Sequence, residues 1–291
     1  MEPVRKPVRS SNIDAGGIRY TLALYCEDFS TLYPGMVRYT LAVTEGERVI
    51  AVFKTNSYEY SPLVPLAAKN AAMQKADEWE HEIRNTPLIF VLNHRPELPK
   101  CTTPSTSELV VIQGSPRADG NCSILAGWAV DAAHELGRTA QVIYPHDMDI
   151  HCCIGCYQCY NTGSCVFNDD MGSIISAIRG SSLLVVCSPV YTNTVPGGLK
   201  LVIDRCQSYH AERALSGGRT GQQGVLFSIA GRKGKENFTC ITRVISAFLS
   251  NLGIAAAGEI LIDHADAIRD IRTIDGMEQR VREKVKQVLC G

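Results

Sequence analysis

LVVIQGSPRADGNCSILAGWAVDAAHEL, residues 109–136, decides the fold. Four apolar residues, Leu109 to Ile112, run into a loop of Gly, Ser, Pro, Asp and Asn, and the chain leaves that loop directly as a helix-forming segment ending at Gly137. A short apolar strand passing through such a loop into a helix is the opening of a β-α-β unit. The alternation then repeats: AQVIYP (140–145), a helix near Met171 to Arg179, LLVVCSPVY (183–191), and a helix near Leu199 to Ser208. GVLFSIAG (224–231), a helix from Phe238 to Leu252, EILI (259–262) and a last helix to Val288 complete it. Five β-α pairs of this kind call for a parallel sheet covered on both faces.

Right-handed crossovers leave few topologies, and the simplest is an α/β doubly wound five-stranded parallel sheet of flavodoxin-like type over residues 108–291. Ligands of such sheets lie beyond the carboxyl ends of the strands, so the loop after the first strand is read first. It is GSPRADGNCS, Gly114 to Ser123. A helix N-terminus offers unpaired N–H groups and a partial positive charge, to which Ser115, Asn121 and Ser123 add donors and Arg117 a full charge. The loop has neither G-x-G-x-x-G nor a Walker lysine, so a monophosphate such as that of FMN fits better than a dinucleotide or ATP. The bland alternative is that Asn121 or Ser123 caps the helix and Gly120 serves a turn. The loop after the third strand, Ser188 to Asn193, should lie at the same sheet edge, with Tyr191 as an aromatic wall or, alternatively, a half-buried core tyrosine.

Upstream, Pro96 to Ser107 has three prolines and no hydrophobic periodicity, the composition of a linker. It divides the chain into a polar tail (1–17), a small α+β domain (18–95), a linker (96–107) and the larger domain (108–291). The small domain should hold strands IRYTLALYC, VRYTLAVT and RVIAVFKT, the last two joined by a turn at Glu45-Gly46-Glu47. A helix, LAAKNAAMQKADEWEHEIR, and a strand, LIFVLN, follow. This order is distantly similar to a ribonuclease-H-like unit, but no metal-binding carboxylate set stands out and no chemistry is assigned to the domain. The 291 residues are 45% hydrophobic and 20% charged with net charge -1, which gives no global attraction to nucleic acid or anionic membrane. A secretory signal of about 7–15 apolar residues and an apolar run of roughly 20 residues are both missing, so a cytoplasmic protein is expected.

Twelve cysteines in a reducing compartment point to metal or redox chemistry. Five lie between Cys152 and Cys165, and Cys153, Cys156, Cys159 and Cys165 are spaced C-x2-C-x2-C-x5-C. Three cysteines at two-residue intervals let one tight loop wrap a cuboidal 4Fe-4S cluster, whereas structural zinc more often uses two separated knuckles. Zinc and an empty thiol loop remain the alternatives. Cys152 is left as a spare thiol, and the scattered cysteines read as small buried hydrophobes.

GSPRADGNCS, CIGCYQCYNTGSC, the following Asp169 to Met171 and SPVYTNTVPGGLKLVIDR together resemble the iron-sulfur flavoproteins of the NADPH-dependent FMN reductase-like group, over residues 108 to 290. The resemblance implies FMN held by Ser115, Arg117, Asn121, Cys122 and Ser123 at the phosphate and by Pro189, Val190, Tyr191, Thr192 and Asn193 at the ring. It implies a 4Fe-4S cluster on Cys153, Cys156, Cys159 and Cys165. It also implies a homodimer or homotetramer, with the helix around Leu199 to Arg205 as candidate interface or, alternatively, Asp204 and Arg205 as a surface ion pair.

The expected function is electron transfer from ferredoxin or NAD(P)H through the cluster and FMN to a small-molecule acceptor, with no side chain acting as acid, base or nucleophile. His134, His146, His151 and His210 are left without roles. The alternatives are a cluster-free NAD(P)H-dependent FMN or quinone reductase, and an electron-carrier or partner-binding module.

Overall fold

The computed structural model describes residues 4–64, 66–94, 107–218 and 221–290. Nearly all of the expected linker, 96–107, lies outside the described residues. The chain divides into two compact units: residues 1–101 with Ile154–Val166, and residues 102–153 with Phe167–Gly291.

In the first unit, β1 (Arg5–Ala15), β2 (Ile18–Asp28), β3 (Val37–Glu45) and β4 (Arg48–Asn56) form an antiparallel sheet in chain order. The period-2 alternation of β2 sends Tyr20, Leu22 and Leu24 to one face, where Leu41 and Val43 of β3 join them. Helix α1 (Ala67–Asn85) covers that face with Ala68, Ala72, Ala76, Trp79 and Ile83, a row at helical spacing. The β3–β4 hairpin turns at Gly46, whose φ of 57° a glycine adopts without strain.

Two expectations are corrected here. Of the expected tail, 1–17, residues 5–15 are a strand: β1 pairs with β2 along most of its length, and it looks polar because an edge strand with only Ile13 fully buried shows little apolar alternation. LIFVLN is not a strand but α2 (Pro87–Asn93), with Pro87 in its first turn and only Phe90 buried. A short apolar run has no periodicity to separate the two states, and Pro87 at its start suits the first turn of a helix. The ribonuclease-H-like order therefore loses its last strand.

The second unit opens with β5 (Leu109–Gln113), α3 (Asn121–Glu135) and β6 (Ala140–Ile143). After an excursion containing the one-turn helix α4 (Cys159–Thr162), which belongs to the first unit, it resumes with α5 (Met171–Gly180), β7 (Leu183–Pro189), α6 (Gly197–Arg205) and α7 (Gln207–Ser216). β8 (Gln223–Ile229), α8 (Thr239–Asn251), β9 (Ala255–Ile262), α9 (Ala265–Ile268) and α10 (Met277–Cys290) complete it. All five strands are parallel in the order β6-β5-β7-β8-β9, the flavodoxin-like arrangement. Alternate residues of β5 serve two cores: Val110 and Ile112 pack with Ile174, Leu199 and Ile245, while Leu109 and Val111 pack with Leu125, Trp128 and Val281. The chain leaves β5 for β6 on one side and returns to β7 on the other, so the strand order reverses at the carboxyl ends of β5 and β7.

Candidate functional site

At that reversal a cavity of about 780 Å³ opens within the second unit, in the size range of small-molecule sites. One wall is the loop from β5 to α3. Gln113, fully buried at the end of β5, holds it from within: its Oε1 accepts from the Ser115 N–H (2.8 Å) and its Nε2 donates to Ser123 Oγ (2.8 Å) and Arg117 O (3.3 Å). Ser115 Oγ accepts from the Arg117 N–H at 3.1 Å. The helix cap is Gly120, with no side-chain hydrogen bond, so no side-chain oxygen claims the first amides of α3, although the Ser123 N–H donates to Gly120 O (2.9 Å). Arg117 is exposed and has no carboxylate partner among the described residues.

The second wall follows β7. Val190 N–H donates to Ile229 O (2.7 Å), and Tyr191 and Thr194 exchange two backbone hydrogen bonds of 2.9 Å. Between them Thr192 (φ 47°) and Asn193 (φ 62°) both take positive φ, as a two-residue primed turn requires. For a β-branched residue that conformation costs about 1–3 kcal/mol, and such strain concentrates at ligand sites. Tyr191 stands 41% exposed, which removes the reading of it as a core tyrosine.

Ser115, Arg117, Asn121, Cys122 and Pro189 to Asn193 all line the cavity. Ser123 does not line it: its hydroxyl is turned into the loop, between Gln113 and Arg117 O. Asn121 neither caps the helix nor is idle; its Nδ2 donates to Arg269 O (2.9 Å) and its Oδ1 accepts from the Ile271 N–H (3.2 Å), tying the segment after β9 to the loop. Burial pushes the Cys122 thiol up to about 12, so it behaves as a small hydrophobe. Sequence reasoning missed the wall after β8 and β9: Gly231, Arg232, Asn237, Asp266 and Arg269. A Cβ on Gly231 would stand 2.5 Å from the Asp266 carboxylate, so the two loops approach closely there. The glycine closing GVLFSIAG at a strand's carboxyl end was the available signal.

The cysteine loop behaves differently. Its two roots are clamped in the second unit by a buried ion pair. Arg205 Nη1 and Nη2 donate to Asp169 Oδ2 (2.6 Å) and Oδ1 (3.0 Å), both side chains 1% exposed, and Nη1 also donates to His151 O (2.7 Å). Asp169 accepts in addition from the N–H groups of His151 (3.0 Å) and Met171 (3.2 Å), and the Phe167 ring stacks on His151 at 5.0 Å. Burial alone would raise the Asp169 carboxyl; the guanidinium and the two N–H groups outweigh it and hold it well below the usual carboxylate range. Arg205 is therefore not a surface residue; the surface pair is Lys200–Asp204, 2.7 Å.

Between those roots, Ile154 to Val166 belongs to the first unit. Gly155 and Gly163 take positive φ, as does Tyr157 at 57°. Cys152 and Cys153 are exposed, Cys156, Cys159 and Cys165 are half-buried, and no described cysteine forms a disulfide. Among the described residues no three His, Cys, Asp or Glu side chains are gathered as a metal site. Of the scattered cysteines, Cys122, Cys187 and Cys206 are buried, Cys26 is half-buried, and Cys240 and Cys290 are exposed.

Residues 107–264 match the profile of a family described as NADPH-dependent FMN reductase. A curated iron-sulfur flavoprotein of Methanocaldococcus jannaschii is 34% identical over 98 residues, 34% of this chain and 51% of that protein. One of Methanosarcina thermophila is 33% identical over 94 residues, 32% of this chain and 49% of that protein. The chain thus spans about half the length of the curated relatives it matches. Among solved structures, an FMN-dependent NADH-azoreductase of Bacillus anthracis in complex with FMN overlaps 63% of this chain and 99% of its own, at TM-score 0.49 and 12% identity. No described helix is long and apolar enough to cross a membrane.

Proposed function

Because the chain belongs to the NADPH-dependent FMN reductase family, we propose that the cavity at the β5/β7 reversal holds FMN and that the protein is a flavin-dependent oxidoreductase. The observation that carries this reading is the helix start at Gly120, left without a side-chain cap beside an Arg117 that has no carboxylate partner among the described residues. Such a start binds an anion through backbone N–H groups and the helix dipole, and the guanidinium adds a compensating charge. Ser115, Arg117, Asn121 and Cys122 surround the phosphate, Asn121 by fixing the loop and Cys122 by packing. Ser123 acts from behind, by holding the loop's shape. Pro189 to Asn193 present backbone groups and the Tyr191 face to the ring system. When bound, FMN supplies one- and two-electron redox chemistry.

Cys153, Cys156, Cys159 and Cys165 are proposed as ligands of a 4Fe-4S cluster, which would supply single-electron transfer. The donor set fits in kind: thiols outside any disulfide, on a loop whose positive-φ residues let the backbone fold back on itself. The names of the curated relatives agree. The proposal extends to a cytoplasmic homodimer or homotetramer that takes electrons from ferredoxin or NAD(P)H and passes them to a small-molecule acceptor. The test is purification without oxygen, with the visible spectrum and the FMN, iron, sulfide and zinc contents measured on one sample. Flavin bands with a shoulder near roughly 400 nm and about four irons per chain are expected. Flavin without iron would make this a cluster-free FMN reductase, and the lack of bound flavin, with none taken up on addition, would sink the proposal.

A further inference from the structure

We infer that the N-terminal four-stranded domain is a dock for the cysteine loop, and that Arg38, Asn56 and Asn161 are positioning residues that hold Cys156 and Cys159 in place. The inference rests on the proposed function only in taking those thiols as cluster ligands; the docking itself is read from contacts within the first unit.

The segment Cys156-Tyr157-Gln158-Cys159-Tyr160-Asn161 is anchored at its non-cysteine positions. Asn161, 4% exposed, donates through Nδ2 to Glu59 Oε1 (2.7 Å) and to Lys54 O (3.3 Å), and its Oδ1 accepts from Asn56 Nδ2 (2.9 Å). Asn56, fully buried, donates from the same Nδ2 to Tyr157 O at 3.2 Å, and its Oδ1 accepts from the Tyr58 N–H at 3.0 Å. Each amide therefore uses both N–H groups and its oxygen, leaving no polar penalty for burial. Arg38 Nη1 donates to the carbonyls of Tyr160 (3.2 Å) and Asn161 (3.4 Å), while its Nε donates to Glu27 Oε2 (2.8 Å), which also accepts from Thr40 Oγ1 (2.7 Å). Burial would raise the Glu27 carboxyl, but Arg38, Thr40 and Arg5 outweigh it and hold it below its ordinary range. A charged carboxylate thus fixes the guanidinium that grips the loop backbone.

Rings reinforce the grip. Tyr160, 2% exposed, meets Tyr33 edge-on at 5.2 Å and donates its hydroxyl to Tyr33 Oη at 3.1 Å, and Tyr157 lies 5.1 Å from Tyr58. Backbone groups at residues 157, 160 and 161 bracket Cys159 and adjoin Cys156, so the two thiols inherit their place from the sheet. A ligand loop needs such support, because it must keep its thiols apart from one another when no ion gathers them.

The test compares the full-length chain, purified without oxygen, with Asn161→Ala and with Arg38→Lys. The lysine keeps the charge against Glu27 but cannot reach both carbonyls. Amide exchange over 154–166, measured on metal-free protein, should quicken by about tenfold or more in each variant, the consequence of losing a buried hydrogen bond. Exchange in β2 and β3 and FMN content should be unchanged. In protein carrying iron, the electron paramagnetic resonance of the reduced cluster should shift or broaden. Unchanged exchange over 154–166 in both variants would overturn the dock, and faster exchange with an unaltered resonance would overturn the positioning role. Wild-type protein without iron would remove the cluster and leave the exchange measurement to decide the dock.

Discussion

Two arginines show how a single charge acquires its role from its surroundings. Arg117 is exposed beside a helix start without a side-chain cap and pairs with no carboxylate among the described residues, which leaves it open to an anionic ligand. Arg117→Ala should weaken FMN binding by about 10- to 100-fold, the value of one or two charge-assisted hydrogen bonds, as read from quenching of flavin fluorescence. Arg205 is buried against Asp169 and has no such freedom. Asp169→Asn would leave its guanidinium buried without a counter-charge and should cost about 3–5 kcal/mol in denaturant unfolding. The folded-state pKa of Asp169 is depressed, so its contribution to stability is complete above the ordinary aspartate value of about 3.9 and is lost as the pH falls below that. Wild type should therefore lose stability on the acid side more steeply than the variant, a difference measurable as unfolding midpoint against pH.

Among elements, one close fit lies between the end of β5 and α6. A Cβ on Gly114 would stand 2.7 Å from Leu199 Cδ2 and 3.3 Å from Cys187 O, and Leu199 is fully buried with no room to swing aside. Gly114→Ala should cost about 1–3 kcal/mol by overpacking, and it should lower the melting temperature whether or not FMN is added. The short elements show where local pattern fails. LIFVLN satisfies a strand template and a helix template equally, and the feature that favours the helix is Pro87 at its start. β1 fails the other way: its residues read as a tail, yet it pairs with β2 along most of its length.

For the molecule as a whole, the separation of labour between cavity and loop makes a clean prediction. Cys156→Ser should abolish iron binding while FMN content stays near wild type, since Cys156 lines no part of the cavity. Loss of neither, by iron and flavin assay on one sample, would reject the ligand assignment. The flavodoxin-like sheet was legible because β5, β7 and β8 are buried on both faces and therefore carry largely apolar runs, whereas of β9 only the apolar end, EILI, was. Nine of the ten expected cofactor residues line one cavity, since they sit in the two loops that any such sheet brings to its reversal. The wall from Gly231 to Arg269 was less legible, as its residues are dispersed over loops with no repeating motif.

Linear pattern alone determined the parallel sheet, the place of the cavity and the spacing of the four cysteines, because periodicity and spacing are local properties that survive without a third dimension. Tertiary structure decided what holds those features in place: Gln113 behind the loop, Asp169 beneath Arg205, and Asn56 and Arg38 against a segment more than a hundred residues away. Such pairings leave no trace in the sequence. A buried hydrogen bond is specified by where two backbones meet, and a lone Asn or Arg in a strand reads the same whether it faces water or a partner.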